Sequence, residues 1–324
     1  MRSLELSIRL GRTPVRLRAV PSAVQPLPNR SLVLRDDLAG TEIGGGKLRK
    51  LEWLLAENAT GDVITLGPAG GLHLLSSAVV GRKLGLRVHA VAWPQRWLPL
   101  AEAQLRAMHA HAETVWPSRS RAHALARLAR VWATVRAQSG EAPAIWGPGG
   151  SDAAGTLGWV EAALELAERA ASGEFVLPPR VVVAQGSGGT AAGLQVGLAL
   201  AGVAVEVHTL DTTGFGARLV KARVAAVTRL LAARGLRVPP LPPLRVIAEG
   251  SPYGEPSVAG GKAALWAERE GFGVEPVYSG KALAYALQSA TPFLFINSGN
   301  GLPLGPLLRS ALPVLPARLA ALWC

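Results

Sequence analysis

Residues 181–197 read VVVAQGSGGTAAGLQVG, and this stretch gives the strongest indication of the fold. A β-branched run ends at Gln185, a glycine-rich loop follows, and an Ala/Leu-rich segment of helical character begins directly after it. Backbone N–H groups at the start of a helix can surround a phosphate, and hydroxyl side chains add further donors. The stretch therefore predicts a strand, a phosphate-binding loop and a helix. The loop residues are Gly186, Ser187, Gly188, Gly189 and Thr190.

The same alternation of strand and helix patterns continues along the chain. Short β-branched runs alternate with longer Ala/Leu/Arg stretches of helical period. This order predicts an α/β architecture with mostly parallel, buried sheets flanked by helices. Strands are predicted at residues 62–66, 87–93, 113–116, 144–146, 180–185, 204–210, 244–248 and 293–297. Helices are predicted at residues 46–58, 72–84, 100–112, 121–139, 153–172, 190–201, 217–234, 256–270 and 280–289.

Composition excludes several classes of protein. The chain has 324 residues, a net charge of +12 and one cysteine, Cys324, so no disulfide can form within it. No metal site is predicted, because cysteine pairs and histidine ligand spacings are lacking. Arginines are scattered and not clustered with aromatic residues, which argues against a nucleic-acid partner.

The apolar segments also argue against a membrane partner. The longest, at residues 190–205, contains Gln195 and is too short to span a bilayer, so it predicts a buried helix followed by a strand. Charges interrupt the apolar residues of the N-terminus, which is unlike a signal peptide. A cytoplasmic location is expected.

A second glycine-rich segment, TEIGGGKLRKLEWLL at residues 41–55, places Lys47 between a triglycine and a helix. Glycines permit close approach of the backbone to a ligand. We expect Arg49, Lys50 and the positive helix end to make the Lys47 amine lose its proton more easily. Such an amine suits attachment to a cofactor aldehyde. The alternative is a glycine turn with a surface lysine.

A third loop, GPAGGLHLLSSA at residues 67–78, again runs from strand through glycines to helix and can hold a carboxylate. A phosphate loop, a lysine and a carboxylate loop are the parts of a pyridoxal phosphate site. The rival interpretation is a dinucleotide fold, because residues 186–191 fit G-x-G-x-x-A and Asp211 follows the next strand. That interpretation gives no role to Lys47.

The ordered motifs resemble the fold-type-II pyridoxal phosphate enzymes of the 1-aminocyclopropane-1-carboxylate deaminase and D-cysteine desulfhydrase family. The family patterns are K-R-D-D-L-x-G with G-G-N-K-x-R-K-L-E, G-G-S-x-x-x-G-x-x-G-Y-V-E-A-A-x-E-L, D-P-V-Y-x-G-K-A-M and I-L-F-I-H-T-G-G. The matching segments are LVLRDDLAGTEIGGGKLRKLEWLLAE (32–57), PGGSDAAGTLGWVEAALEL (148–166), GSGGTAAGL (186–194), EPVYSGKALAYAL (275–287) and FLFINSGNGLPL (293–304), with RTPVRL (12–17) before them.

The resemblance implies a two-domain fold and a complete site. A larger pyridoxal phosphate-binding domain would comprise residues 1–49 and 159–324, and a smaller α/β domain residues 50–158. The implied partners are a small amino-acid substrate and a second copy of the chain in a homodimer. Lys47 would be the Schiff-base lysine and proton shuttle, with the glycine loop and Lys50 at the phosphate. Tyr278 and Tyr253 would face the substrate, and Ser279 or Ser298 would meet the ring nitrogen.

Several positions depart from the family pattern. Gly71, Leu72 and His73 align with its substrate-carboxylate loop S-N-H, so a hydroxyl and an amide are missing. His73 is interpreted either as a general base or as a helix-start histidine bonded to the backbone. Gly46 replaces the asparagine before the lysine, and Asn300 replaces a glycine.

Ser279 stands where the aminocyclopropane deaminases have glutamate, and a neutral hydroxyl favours β-elimination over ring opening. The sequence thus predicts a pyridoxal phosphate lyase or deaminase of the D-cysteine desulfhydrase type. The alternatives are a β-replacement synthase or isomerase of specialised metabolism and a non-catalytic pyridoxal phosphate binder.

Overall fold

The structure is a computed structural model, and it describes residues 1–18, 21–57, 61–250 and 254–323. The alternation of strands and helices is as predicted. The strands are β1 (Val24–Pro26), β2 (Leu32–Leu34), β3 (Asp62–Pro68), β4 (Arg87–Trp93), β5 (Thr114–Pro117), β6 (Ala144–Trp146), β7 (Arg180–Gln185), β8 (Glu206–Asp211), β9 (Leu244–Ala248) and β10 (Leu294–Ile296). The helices are α1 (Ser3–Leu10), α2 (Lys47–Glu57), α3 (Leu72–Lys83), α4 (Pro99–His111), α5 (Arg121–Ala126), α6 (Leu128–Ser139), α7 (Ala153–Ala171), α8 (Gly189–Ala201), α9 (Ala217–Ala232), α10 (Val258–Arg269), α11 (Ser279–Leu287), α12 (Gly305–Leu308) and α13 (Ala317–Ala320).

A few elements differ from the sequence prediction. The single helix expected at residues 121–139 is divided into α5 and α6 at Arg127, where no proline or glycine marks the break. Strands β1 (VQP) and β2 (LVL), each three residues long, were not predicted. Helix α1 was also missed.

One compact unit comprises residues 1–57 and 151–301. Its six-stranded sheet has the order β1-β2-β10-β7-β8-β9, with β1 antiparallel to β2 and all other pairs parallel. Successive residues of β7 point to opposite faces of this sheet, so Val181 and Val183 pack in one core cluster and Val182 in another. Parallel strands buried on both faces explain their β-branched, almost continuously apolar sequences. The α/β class with mostly parallel sheets is confirmed.

The apolar segment that begins at Thr190 forms a buried helix, as predicted. Helix α8 has buried residues along most of its length and is followed by β8. Within the ranges that the structure covers, no helix has the length and apolar character needed to cross a bilayer.

The other compact unit comprises residues 58–150 and 302–324. Its sheet is parallel throughout and has the order β5-β4-β3-β6. Residues 302–323 pack in this unit. Arg106 on α4 donates to the carbonyl of Leu312 at 2.9 Å, and Trp323 forms a β-bridge with Gln95. The domain division that the resemblance implies stays a prediction.

A buried network of charges fixes α2, the helix that begins at Lys47. Arg49 binds both carboxylate oxygens of Asp36 at 2.6 and 2.9 Å and also binds Glu165 on α7 at 2.8 Å. Burial alone would raise the pKa of Asp36, but the Arg49 guanidinium holds it below its usual value. One turn further along α2, buried Glu52 pairs with Arg18 at 3.1 Å. These pairs tie α2 to the turn after β2 and to α7.

We expect the substitution Asp36→Asn to lower the free energy of unfolding by about 3 kcal/mol, because it removes one of the two carboxylates that pair with the buried Arg49 charge. Urea unfolding followed by circular dichroism measures this change. Replacing both partners, in Asp36→Leu with Arg49→Met, should recover much of the loss. Glu5→Gln, which breaks an exposed pair with Arg9, is the control and should leave the unfolding midpoint unchanged. A double variant as unstable as the sum of its single variants would contradict this account.

Candidate active site

The triglycine loop before Lys47 is held by backbone contacts on both sides. Gly45 has a φ of +97°, which favours glycine, and a Cβ atom there would lie 2.6 Å from the carbonyl oxygen of Gly299. The loop N–H groups are all bound: Gly44 donates to Asn300 Oδ1 at 2.7 Å, Gly45 to the Asp36 carbonyl at 2.8 Å and Gly46 to the Ser298 carbonyl at 3.1 Å. Lys47 therefore begins its helix from a fixed backbone, and Asn300 has a structural role in the loop.

The Lys47 amine is surrounded by protein, although its residue keeps intermediate solvent exposure. Burial lowers the pKa of Lys47 from its usual value to about 8. Within the described ranges its Nζ atom forms no hydrogen bond or ion pair. The direction of this shift agrees with the sequence prediction, which attributed it to Arg49, Lys50 and the positive helix end. Arg49 is paired with Asp36 and Glu165, and burial is the cause that the structure gives for the lowered pKa of Lys47. Desolvation, which sequence patterns do not reveal, has this effect.

The glycine loop after β7 lies against Lys50, one turn along α2 from Lys47. Gly188 has a φ of +79°. A Cβ atom at Gly189 would overlap Ser151 Oγ and lie 3.1 Å from Lys50 Nζ, so only glycine permits this approach. Ser151 Oγ accepts from Lys50 Nζ at 2.7 Å and lies 2.6 Å from Ser187 Oγ. The structure thus brings the predicted loop and the predicted lysine together.

Positive charge exceeds negative charge around this loop. Burial, and after it the charges of Lys47 and Arg223, lower the pKa of Lys50 well below its usual value, with Asp152 acting in the opposite direction. The Asp152 carboxylate also caps α7 by accepting from Gly155 N at 2.8 Å. Arg223 on α9 donates to the Ser187 carbonyl at 3.4 Å. A phosphate dianion fits the side chains of Lys50 and Arg223 and the start of α8, with Asp152 as an opposing carboxylate.

Sequence reasoning did not identify Ser151 or Arg223. Ser151 lies in the G-G-S segment of the family pattern, so the sequence contained a signal for this residue. Its contact with Lys50 has no signal in the sequence. Arg223 lies in the middle of an ordinary helix and has no motif around it. Only the tertiary fold brings Arg223 to the loop.

Ser279 begins α11, and a nearby carboxylate fixes its backbone. Glu275 accepts from the backbone N–H groups of Val277, Tyr278 and Ser279 at 2.7, 2.8 and 2.5 Å. Burial raises the pKa of Glu275, although these hydrogen bonds oppose the shift. A Cβ atom at Gly299, the residue after Ser298, would lie 3.5 Å from Ser279 Oγ. The two serines expected near the ring nitrogen therefore lie on neighbouring segments, and the choice between them stays open. Tyr253 lies outside the described residues.

Gly71, Leu72 and His73 belong to the second unit, where they start α3. Gly71 is the N-cap residue of α3 and has no side chain that could cap the helix. His73 is buried, and its Nε2 atom lies 2.9 Å from Thr65 Oγ1 on β3. The interpretation of His73 as a helix-start histidine bonded to the backbone stays a prediction. A role for His73 as a base stays a prediction.

The chain belongs to the family described as "Pyridoxal-phosphate dependent enzyme", whose model matches residues 6–293. It is 33% identical over 298 residues to a D-cysteine desulfhydrase of Serratia proteamaculans, covering 83% of this chain and 86% of the relative. It is also 33% identical over 319 residues to a D-cysteine desulfhydrase of Salmonella choleraesuis, covering 89% of this chain and 92% of the relative. The solved structure of an ACC deaminase homologue is similar, with a TM-score of 0.78 and 28% identity over 91% of this chain and 94% of that one.

These findings identify a pyridoxal phosphate-dependent enzyme of fold type II that diverges from its relatives. They also contradict the dinucleotide alternative, and the geometry agrees. The carboxylate of Asp211, which that alternative requires for a ribose, binds the N–H groups of Thr213 and Gly216 at 2.9 and 2.6 Å. It also accepts from Gln185 Nε2 at 3.2 Å. Asp211 thus holds its own loop.

We expect Arg223→Gln to weaken pyridoxal phosphate binding by about tenfold, because one cation is lost beside the phosphate loop. Binding of pyridoxal, which lacks the phosphate, should not change. Fluorescence or absorbance titration of the apoprotein measures both affinities. Arg218→Gln removes the same charge from an exposed position on the same helix and should have no effect on either ligand. Equal weakening for both ligands would contradict a phosphate role.

Proposed function

We propose that this protein is a pyridoxal phosphate-dependent lyase or deaminase that acts on a small amino acid by β-elimination, in the manner of a D-cysteine desulfhydrase. The reaction consumes water and an amino acid with a β-leaving group, and it yields a keto acid, ammonia and the protonated leaving group. The observation that carries this proposal is the arrangement of two lysines on α2. Lys47 has a buried amine with a pKa of about 8, and the Lys50 side chain lies at the glycine loop. The curated relatives named above support the choice of reaction.

Lys47 has two successive tasks in this proposal. It first holds the cofactor aldehyde covalently, and after release by the substrate it removes the proton from the substrate α-carbon at Nζ. A pKa near 8 leaves a usable fraction of neutral amine at neutral pH, which a general base requires. When bound, pyridoxal phosphate supplies an electron sink for the electron pair left by that proton. The Gly186–Thr190 backbone, Ser187 and Lys50 hold the phosphate and so orient the ring.

Ser279 favours elimination over ring opening. If it meets the ring nitrogen, its hydroxyl can donate or accept a hydrogen bond but carries no charge that would keep the nitrogen protonated. The carboxylate of Glu275 is bound to backbone N–H groups of the same turn. A neutral partner of this kind would suit a reaction in which the β-leaving group departs as soon as the α-proton is removed. Tyr278, and Tyr253 by the family resemblance, are proposed to face the substrate.

The substrate loop indicates a departure from D-cysteine. Leu72 offers an apolar side chain where the family pattern has an amide, so we propose a substrate that is larger or less polar than D-cysteine. The backbone N–H groups at the start of α3 are proposed to bind its carboxylate. A β-replacement synthase or isomerase remains the alternative that this altered loop favours. The homodimer and the cytoplasmic location stay predictions.

The first test of the proposal is covalent trapping. The purified protein should absorb at ~410–430 nm after incubation with pyridoxal phosphate, and borohydride should fix the cofactor on Lys47. The rate of attachment should rise between pH 7 and pH 9, because an amine of pKa about 8 is about one-tenth neutral at pH 7 and about nine-tenths neutral at pH 9. Peptide mapping identifies the labelled residue. Labelling of another lysine, or a colourless protein, would falsify the proposal.

The second test concerns the substrate loop. We expect no measurable deamination of aminocyclopropane carboxylate, and keto acid from amino acids with good β-leaving groups. The double change Gly71→Ser with Leu72→Asn should raise activity toward D-cysteine by about 10²-fold, if the restored hydroxyl takes part in proton transfer. Lys47→Ala in the same background is the control and should abolish that activity. Absence of turnover or spectral change with every amino acid tested would favour the non-catalytic alternative.

A further inference from the structure

Trp159 occupies the space beside Gly46, the residue before Lys47. Trp159 lies on α7 and is fully buried. A Cβ atom built on Gly46 would overlap Trp159 Cζ2 and would lie 3.1 Å from Ser298 Cβ. Trp159 Nε1 donates to the Gly46 carbonyl at 3.3 Å. One side chain therefore both excludes a side chain at position 46 and binds the peptide group that joins Gly46 to Lys47.

The surroundings of Trp159 leave it little room to move aside. A Cβ atom at Gly193 on α8 would lie 2.5 Å from Trp159 Cβ, so α8 packs closely against the base of the tryptophan side chain. The Arg49 guanidinium lies over the indole ring at 5.4 Å, and Arg49 is itself held by Asp36 and Glu165. Packed cores respond to an added atom with strain and not with a smooth adjustment.

Two departures from the family pattern meet at this contact. The pattern has asparagine at the position of Gly46 and tyrosine at the position of Trp159. The structure shows the larger ring reaching into the volume where a residue-46 side chain would begin. The smaller residue and the larger one thus compensate for each other in volume.

We propose that Trp159 is a positioning residue for Lys47, and that Trp159 and Gly46 form a size-exchange pair that fixes the lysine by packing and by one backbone hydrogen bond. The positioning role of Trp159 rests on the proposed function of Lys47. The packing of Trp159 against Gly46 does not depend on that function. An asparagine before the lysine would add polar atoms next to the Lys47 backbone. This chain instead has the edge of the Trp159 ring against Gly46.

A double-mutant cycle tests the size exchange. Gly46→Ala should lower the melting temperature by about 2–6 °C through overpacking and weaken pyridoxal phosphate binding by about tenfold. Adding Trp159→Phe, which removes Cζ2, should restore most of the melting temperature lost on Gly46→Ala. Additive effects of the two substitutions, or an unaltered Gly46→Ala protein, would overturn the proposal. A wild type that binds no pyridoxal phosphate would defeat the proposed function, while the thermal cycle would still report on the pair.

A spectroscopic comparison separates positioning from simple core packing. Trp159→Phe alone should shift the pH midpoint of the visible cofactor band by about 0.5 unit or more, because the Gly46 peptide loses its donor. Trp53→Phe is the matched control: it also removes a buried indole hydrogen bond, to Glu161 at 3.0 Å, and it should leave the midpoint unchanged. Equal midpoints in both variants and the wild type would show that Trp159 only fills space.

Discussion

The buried pair of Arg49 with Asp36 is the interaction on which the site depends. A charged arginine in a protein interior is tolerated only when its guanidinium is fully paired, and here two carboxylates surround it. The pairing fixes the rotation of α2 about its axis. It also removes a positive charge from the neighbourhood of Lys47, so the low pKa of that lysine follows from burial.

The periodicity of α2 then separates two groups of side chains. Lys47 and Lys50 are three residues apart and lie on one side of the helix, whereas Arg49 and Trp53 are four apart and lie on another. One group faces the glycine loop, where the Lys50 pKa is lowered by burial and by neighbouring cations. The side chains of the other group bind acidic residues, including Glu165 and Glu161 of α7. One short helical motif thus specifies both an anion site and its structural support.

Much of the fold could be predicted from the sequence, because strands and glycine loops are recognisable from short stretches of residues. Strands β4, β6, β7 and β9 lie at the predicted residues, and Lys47 was placed correctly at a helix start. Arg223 and Ser151 could not be placed in the site, since their contacts join segments far apart in the chain. The break at Arg127 and the packing of residues 302–324 likewise depend on tertiary contacts. The cause of the Lys47 pKa was missed because desolvation is a property of the folded environment.

The structure explains some of the departures from the family pattern by packing or hydrogen bonding, but not all of them. Asn300 has a local partner, the N–H group of Gly44, and Gly46 is complementary to Trp159. Gly71 is different: its φ of −72° is available to any residue, although a Cβ atom there would lie 3.0 Å from the Pro68 carbonyl oxygen, so Pro68 would have to shift by a few tenths of an ångström. The backbone conformation therefore does not require glycine at this position. Because the backbone conformation does not demand glycine at position 71, the effect of Gly71 is to remove a side chain from the substrate loop. The substrate loop is therefore the place where the chemistry of this chain is expected to differ from that of its relatives.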